Sequence, residues 1–485
     1  MEKLPKKLKI WRNKPFIKQL EKKFPKADLF LVGGAVRDHI LDRPTKDYDL
    51  VIRNISKNDL EKFLKNQGKV NLVGKKFGVF KFVPKGWTGS EIDIALPRTE
   101  HSINLSGAYK DFKINSNAKL KIEDDLSRRD FTINAMAYDI KQQKIIDPYN
   151  GLKDIKQKNI KAVGKAEQRF KEDYSRMLRA IRFSCQLEFD IESKTLNSIK
   201  KEIKKLNKTI DGKRVVPYEV IAKELFKAVN VNPIKAIELL DKTGAIQVLM
   251  PELLKMKKCP QPKNWHTEGD VWVHTILALE KLNSQKFKRE FKGEEVTPEL
   301  IWGVIFHDLG KPYTLVRTDR LRFNNHDNVG AKKFKEIAER LKLASAGLDV
   351  DDTEKIIAKH LLAVYAKGDG MKDTTLEKYF FNPNFPGRQL MMLILADTLA
   401  TIHDNGKPHF AEYNKLKSVI SKLKKKTKGK NNLPQPVING TDLIKKFKLN
   451  PGPKIGKLLT ISREAQLRGK IKSKADGLKL IKKHL

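Results

Sequence analysis

Residues 31–38 read Leu-Val-Gly-Gly-Ala-Val-Arg-Asp, and eight residues later the chain continues Asp47-Tyr-Asp-Leu-Val51. Leu50, Val51 and Ile52 favour a strand over 47–52, and strand side chains alternate faces, so Asp47 and Asp49 point the same way. Two carboxylates side by side repel and raise one pKa unless a cation neutralises them. Mg²⁺ suits such a pair, because it takes few protein carboxylates and leaves its remaining positions to water and phosphate. Upstream, Leu29–Val32 reads as a buried strand running into Gly33-Gly34, with a helix over 34–42. Glycines let backbone approach a phosphate closely, and a following helix aims its first N–H groups at it. Either piece alone has an ordinary meaning, a turn or a solvated strand end. In the order strand, Gly-Gly, helix, acidic strand, they describe a site for a metal–nucleoside triphosphate.

Further motifs follow in order: Arg128-Arg129-Asp130-Phe131-Thr132-Ile133-Asn134-Ala135-Met136-Ala137, Asp147-Pro-Tyr-Asn-Gly151, Glu172-Asp173-x-x-Arg176 and Arg179-x-x-Arg182-Phe183. With Gly33-Gly34-x-Val36-Arg37-Asp38 and Asp47-x-Asp49, they resemble the signatures of class II tRNA nucleotidyltransferases and bacterial poly(A) polymerases. The resemblance is continuous from about residue 26 to residue 190 and weaker beyond. It implies a polymerase β-like mixed-sheet head followed by helical domains. It also implies roles: Gly33, Gly34 and Arg37 holding triphosphate, Arg128, Arg129 and Asp130 contacting ribose or triphosphate, and Asp173 with Arg176 reading the base. An arginine fork donates and a carboxylate accepts, so the last two together can imitate a Watson–Crick edge. Their spacing places them on one face of a helix, where an ordinary surface ion pair is the plain alternative. Arg179 and Arg182 either brace that helix or touch phosphate. In Glu91-Ile-Asp-Ile-Ala-Leu96, Asp93 is a candidate third catalytic carboxylate or, equally, a solvated edge residue.

Residues 265–400 carry His274, His307-Asp308, His326, His360 and Asp397, which resembles the HD phosphohydrolase superfamily. Imidazoles with carboxylates suit a divalent transition metal. The apolar stretch Trp302–Phe306 would carry His307 and Asp308 into a pocket, and His326 and His360 match the extra histidines of two-metal HD sites.

The 485-residue chain holds 99 Lys+Arg against 58 Asp+Glu, a net charge of +41. Such an excess fits a polyanionic partner bound with counterion release, and also a lysine-rich proteome. Hydrophobic residues at 40% suffice for folded cores, and this length suggests three or four domains. No apolar run spans a bilayer, and the basic segment Met1–Lys14 lacks the apolar core of a secretory signal. Two cysteines, Cys185 and Cys259, give no disulfide framework, which suits a reducing cytoplasm.

The expected organisation is multidomain, α/β then α. It comprises a basic extension (1–25), the catalytic head (26–155), a helical neck and body (156–260), an HD domain (265–405), a Lys-rich linker (406–436) and a tail (437–485). Within the head, 97–126 reads as a long polar loop, which in the resembled family helps the switch from CTP to ATP. The resemblance implies addition or repair of the 3′-terminal CCA of tRNA from CTP and ATP. Mg²⁺ would sit at Asp47 and Asp49, the body and tail would grip the acceptor and T-arm backbone, and the HD site would supply a phosphatase or phosphodiesterase activity. The alternatives are a poly(A) polymerase, toward which Leu72–Phe77 points, an enzyme adding only CC or only A, and an HD phosphohydrolase with an RNA-binding head.

Overall fold

The structure, a computed structural model, describes residues 5–45, 47–73, 79–102, 107, 112–365, 371–426 and 433–485. It comprises two compact units, residues 1–249 and 250–485. No helix among the described residues is long and apolar enough to cross a membrane.

The first unit begins with α1 (Lys6–Lys9), a 3₁₀ turn (Ile10–Asn13) and α2 (Pro15–Lys23). Proline suits the first turn of α2, where its missing N–H is not needed. β1 (Asp28–Val32) buries four consecutive apolar residues, as a central strand covered on both faces must. It leads through Gly33 into α3 (Gly34–Ile40) and then β2 (Tyr48–Arg53), close to the expected 29–32, 34–42 and 47–52. The Ser56 hydroxyl caps α4 (Lys57–Gln67) by accepting from the Asp59 N–H. β3 (Gly68–Val73), β4 (Val79–Pro84) and β5 (Ile92–Ala95) follow. With β8 (Ala137–Asp139) and β9 (Lys144–Ile146) they form a seven-stranded sheet in the order β3-β4-β5-β2-β1-β8-β9.

Register decides what this sheet presents. β2 runs parallel to β5 with Asp49 opposite Asp93, while Val32 of β1 faces Asp49 and Lys81 of β4 faces Asp93. Val32, Asp49, Asp93 and Lys81 therefore form one row on one face. On the opposite face the adjacent row is Tyr48, Ile92 and Phe82. Below the acidic row that first face is apolar: Phe30, Val32, Val51 and Ala137 pack against Ile122 and Leu126 of α5 (Ile122–Ser127).

Residues 97–126 are not the expected long loop. β6 (Arg98–Ser102) pairs antiparallel with β7 (Phe112–Ser116), and α5 follows. A two-stranded ribbon joined by backbone hydrogen bonds needs no apolar stripe, so the polar sequence concealed it. Tyr109 and Asp111 lie outside the described residues, as do Gly74–Gly78.

The rest of this unit is helical: α6 (Gly151–Lys156), α7 (Ala166–Glu172), α8 (Ser175–Leu187), α9 (Ser193–Glu202) and α10 (Tyr218–Val229). Leu178, Ile181 and Cys185 are buried on α8, as their spacing predicts. Arg182 ties α8 to α10 through a 2.5 Å bond to Glu224 Oε2, both side chains nearly buried.

The second unit carries the helices Val271–Lys281, Pro298–Phe306, His326–Leu341, Val350–Lys359 and Gly387–Ala400. Residues 411–426, expected within the linker, form a helix that buries Tyr413, Leu416 and Leu423. Residues 427–432 of that linker lie outside the described residues. The tail helices Gly440–Phe447, Pro453–Leu467 and Lys474–Lys482 enclose their own core of Ile438, Leu443, Ile455, Leu458 and Ile481.

Candidate functional site

The acidic row sits at the end of the turn after β1. Gly33 has φ +73°, and a Cβ there would lie 2.5 Å from Arg129 Nη1 and 3.6 Å from Asp49 Oδ2. The left-handed conformation favours glycine, and a side chain would also push the Arg129 guanidinium aside. Asp49 is half-buried, Asp47 is exposed just before β2, and Asp93 is half-buried. Burial raises the Asp49 pKa, the nearby Arg129 lowers it, and Asp93 and Asp47 raise it again, with a net upward shift. Asp93 is also 3.4 Å from Lys81 Nζ. This is a hard-oxygen donor set under like-charge stress, and it fits a divalent cation. The three carboxylates neighbour one another without closing into a tight cluster.

Arginines frame the row, each held by an acid. Buried Asp125 accepts from Arg128 Nε (3.1 Å) and Nη2 (2.8 Å), from Arg129 Nη2 (3.4 Å) and from the Arg98 N–H (3.3 Å). One carboxylate therefore orients both arginines and ties them to the start of β6. Arg129 Nε is buried without a hydrogen-bond partner. Arg37 donates to Asn134 Oδ1 (2.6 Å) and Asp38 Oδ1 (2.9 Å). Asn134 in turn donates to Asp130 Oδ1 (3.2 Å), and Asp130 Oδ2 accepts both Arg179 Nε (2.8 Å) and Nη2 (2.5 Å). Burial opposes ionisation of Asp130, but Arg179 outweighs it and holds the carboxyl well below the usual range. Arg37, Arg179 and Arg182 lie 5.2, 5.5 and 4.0 Å from the Phe183 ring. Arg182, bonded to Glu224, is thus built as a brace.

Asp173 and Arg176 do not share a helix face. Asp173 ends α7 in an extended conformation, and its Oδ1 accepts from the Ser175 N–H (2.9 Å) and hydroxyl (2.6 Å). Arg176 lies inside α8 and donates to Glu172 Oε2 (2.8 Å), which also accepts from Arg169 (2.9 Å), and to the Arg128 carbonyl (3.3 Å). The chain breaks where the Asp173 carboxylate takes up the N–H of Ser175, the first residue of the new helix, as carboxylates do near helix starts. Between the two residues, the Tyr174 N–H donates to the Gly107 carbonyl (3.2 Å). A Cβ on Gly107 would fall 1.9 Å from the Tyr174 ring, so Gly107 itself packs closely against this motif.

In the second unit His274, His307, Asp308, His326, His360 and Asp397 all converge. Ligand atoms of His274, His307 and Asp397 lie within 4.8 Å of one another, as do those of Asp308, His326 and His360. His307, His326 and His360 each donate Nδ1–H to a backbone carbonyl, of Val304 (2.8 Å), Phe323 (2.8 Å) and Ile357 (2.7 Å). Their Nε2 lone pairs are therefore left for the cluster, the tautomer a metal ligand needs. His326 Nε2 is buried with no hydrogen-bond partner. Burial, together with His326 and His307, pushes the His360 pKa down to about 3, which keeps that ring neutral. Burial also works against a charged His274, but bonds to Asp397 (3.0 Å) and Glu268 (2.8 Å) outweigh it and hold its pKa up at about 9. The donor set and the orphaned nitrogen fit a divalent metal. Asp308, His326, His360 and Asp397 open on a cavity of about 370 Å³ that Lys311 and Trp265 also line.

Two organising residues escaped the sequence reading. Asp125 had a signal, since it precedes both arginines at helical ion-pair spacings. Glu268, whose Oε1 accepts from His266 (2.7 Å) as well as His274 and whose Oε2 accepts from the Ile402 N–H (3.0 Å), had none.

Known proteins resemble this chain in sequence and in fold. The "Poly A polymerase head domain" family model matches residues 29–161, the "HD domain" model 274–382 and the "tRNA nucleotidyltransferase domain 2" model 360–479. The "Multifunctional CCA protein" of Neisseria gonorrhoeae (strain NCCP11945) is 35% identical over 317 residues, 64% of this chain and 69% of that protein. The chain belongs to the multifunctional CCA protein family. Its relative from Actinobacillus pleuropneumoniae serotype 5b (strain L20), also a "Multifunctional CCA protein", is 32% identical over 72% of this chain and 79% of that one. The Thermotoga maritima CCA-adding enzyme complexed with tRNA shares the fold, with a TM-score of 0.59 at 22% identity over 99% of this chain and 98% of that one. The Bacillus stearothermophilus CCA-adding enzyme in complex with CTP gives 0.62 at 23% identity over 98% of each chain. Head and HD domains of this family imply dependence on divalent metal.

The Asp130–Arg179 pair yields a pH-dependent prediction. A carboxyl whose folded pKa is depressed stabilises the fold above its unfolded pKa, near 4, and that contribution fades as pH falls through the folded value. Arg179→Met strands Asp130 and destabilises the first unit at pH 7 by about 2–3 kcal/mol, discounted for the partly exposed guanidinium. Chemical denaturation at pH 7 and pH 3 checks this: the gap between variant and wild type narrows at the lower pH.

Proposed function

We propose that this chain adds or repairs the 3′-terminal CCA of tRNA, using CTP and ATP in a Mg²⁺-dependent nucleotidyl transfer. Family membership supports this reading, and so do relatives of the same fold described with tRNA, CTP and ATP. The observation that carries it is the row Asp49–Asp93 beside the Gly33 turn, with Asp47 next to it. Asp47, Asp49 and Asp93 would hold the Mg²⁺, which supplies a lowered hydroxyl pKa at the primer end and charge neutralisation on the leaving pyrophosphate.

The remaining residues bind and orient. Gly33 and Gly34 leave room for triphosphate against backbone. Arg37, Arg128 and Arg129 already have their guanidinium groups fixed by Asp38, Asn134 and Asp125, so they lose little freedom when phosphate or ribose arrives. Asp130 acts through Arg179 and Asn134 as a support. Asp173 and Arg176, on either side of the break between α7 and α8, would read the base once the Arg176 fork exchanges its bonds to Glu172 and the Arg128 carbonyl for it. The body and tail would grip the tRNA backbone, using part of the chain's +41 charge. The six HD residues would bind a transition metal and hydrolyse phosphate esters as a separate activity.

Two experiments test this. A tRNA ending before its CCA should gain two residues with CTP and a third only once ATP is added. Asp49→Ala should lower that rate at least about a thousandfold while tRNA binding stays intact. An A tail of indefinite length would mean a poly(A) polymerase, and a stop at two a CC-adding enzyme. For the HD site, elemental analysis of purified Asp308→Ala should show transition metal lost and nucleotide addition retained. Unchanged metal content would contradict the ligand set.

A further inference from the structure

Residues 5–23 precede the span matched by the head-domain family model, which starts at residue 29, yet their helices pack onto the sheet. Leu8, Trp11, Phe16, Ile17 and Leu20 are each at most 3% exposed. Their rings meet the row that backs the carboxylates. Trp11 packs edge-on against Tyr48 at 4.9 Å, and Phe16 against Phe82 at 5.4 Å. Tyr48 lies between Asp47 and Asp49 in sequence and opposite Asp49 in facing. Trp87, on the turn leading into β5, lies 6.3 Å from both Trp11 and Tyr48. That turn is itself held, by Trp87 Nε1–H donating to the Ser90 carbonyl (2.8 Å) and by Lys14 Nζ 4.7 Å over the Trp87 ring. A 2.5 Å pair between Lys7 and Asp42 fastens α1 beside the end of α3.

We infer that Trp11 is a positioning residue for the carboxylate row, wedged behind the segments that carry Asp49 and Asp93. An ordinary core residue stabilises whatever it touches. Trp11 differs because its ring partners are Tyr48, in the strand that carries Asp49, and Trp87, in the turn that delivers the strand carrying Asp93. Side chains alternate along a strand, so a shift of Tyr48 on one face moves Asp47 and Asp49 on the other. Edge-on aromatic contacts are directional and resist such a shift. The consequence for the reaction rests on the nucleotidyl-transfer reading above. The consequence for the strands does not.

The test uses full-length Trp11→Ala, Trp11→Leu and Trp11→Phe beside wild type, with two readouts: CTP addition kinetics on tRNA, and amide hydrogen exchange without nucleotide. In Trp11→Ala, kcat should fall about 10- to 100-fold with KM for CTP nearly unchanged, because the carboxylates shift while the triphosphate cradle stays. Exchange should accelerate in 48–53 and 92–95 but not in the reference helix 218–229. Trp11→Phe, which keeps a ring, should restore most of both. Trp11→Leu keeps burial without a ring and carries the test if the alanine variant does not fold. An unchanged rate per folded molecule, a loss that phenylalanine does not restore, or exchange rising equally in 218–229 would overturn the inference. A wild type that adds no nucleotide would instead overturn the functional reading, and the exchange data would still judge Trp11.

Discussion

The head is organised around a repulsion. Parallel pairing of β2 with β5 sets Asp49 directly opposite Asp93, and the exposed Asp47 adds a third carboxylate beside them. Neighbouring strands lie about 5 Å apart, so carboxylates on directly paired residues of one face repel each other. Arg129 offsets part of this at Asp49 and Lys81 part at Asp93. Asp49 is still left with a raised pKa. A protein keeps such an arrangement where a cation relieves it, and the rest of the head holds the carboxylates in that register: the apolar face over α5, the glycine turn and the aromatic backing.

Around that row every arginine with a proposed role is already paired. Asp125 holds Arg128 and Arg129, Asp130 holds Arg179, Glu172 holds Arg176 and Glu224 holds Arg182. Long guanidinium side chains lose substantial rotamer entropy when they bind, and prior fixation by a carboxylate removes much of that loss. The same logic runs through the second unit. There backbone carbonyls fix three imidazoles in the tautomer that leaves Nε2 toward the cluster, and Glu268 fixes a fourth.

Much of this was legible in the sequence where the signal was local. The buried strand before Gly33, the acidic strand and the buried face of α8 all follow from short-range patterns, and each lies within a residue or two of expectation. The break at Asp173 was hidden because a carboxylate three residues before an arginine reads equally as an ion pair or as a cap. The stronger pairing, Glu172 with Arg176, has the better-oriented i,i+4 spacing. The ribbon of β6 and β7 carries no apolar alternation and so no strand signal. The contact of Trp11 with Tyr48 spans too much sequence for any periodicity to report it.

The central claim, that the carboxylate row holds the catalytic cation, is most directly tested by anomalous diffraction from crystals soaked with Mn²⁺ and CTP. The account predicts a manganese peak among Asp47, Asp49 and Asp93 next to the Gly33 turn, and its loss in Asp49→Asn. Manganese bound only among the HD histidines, with nothing at the head carboxylates while CTP is present, would contradict it.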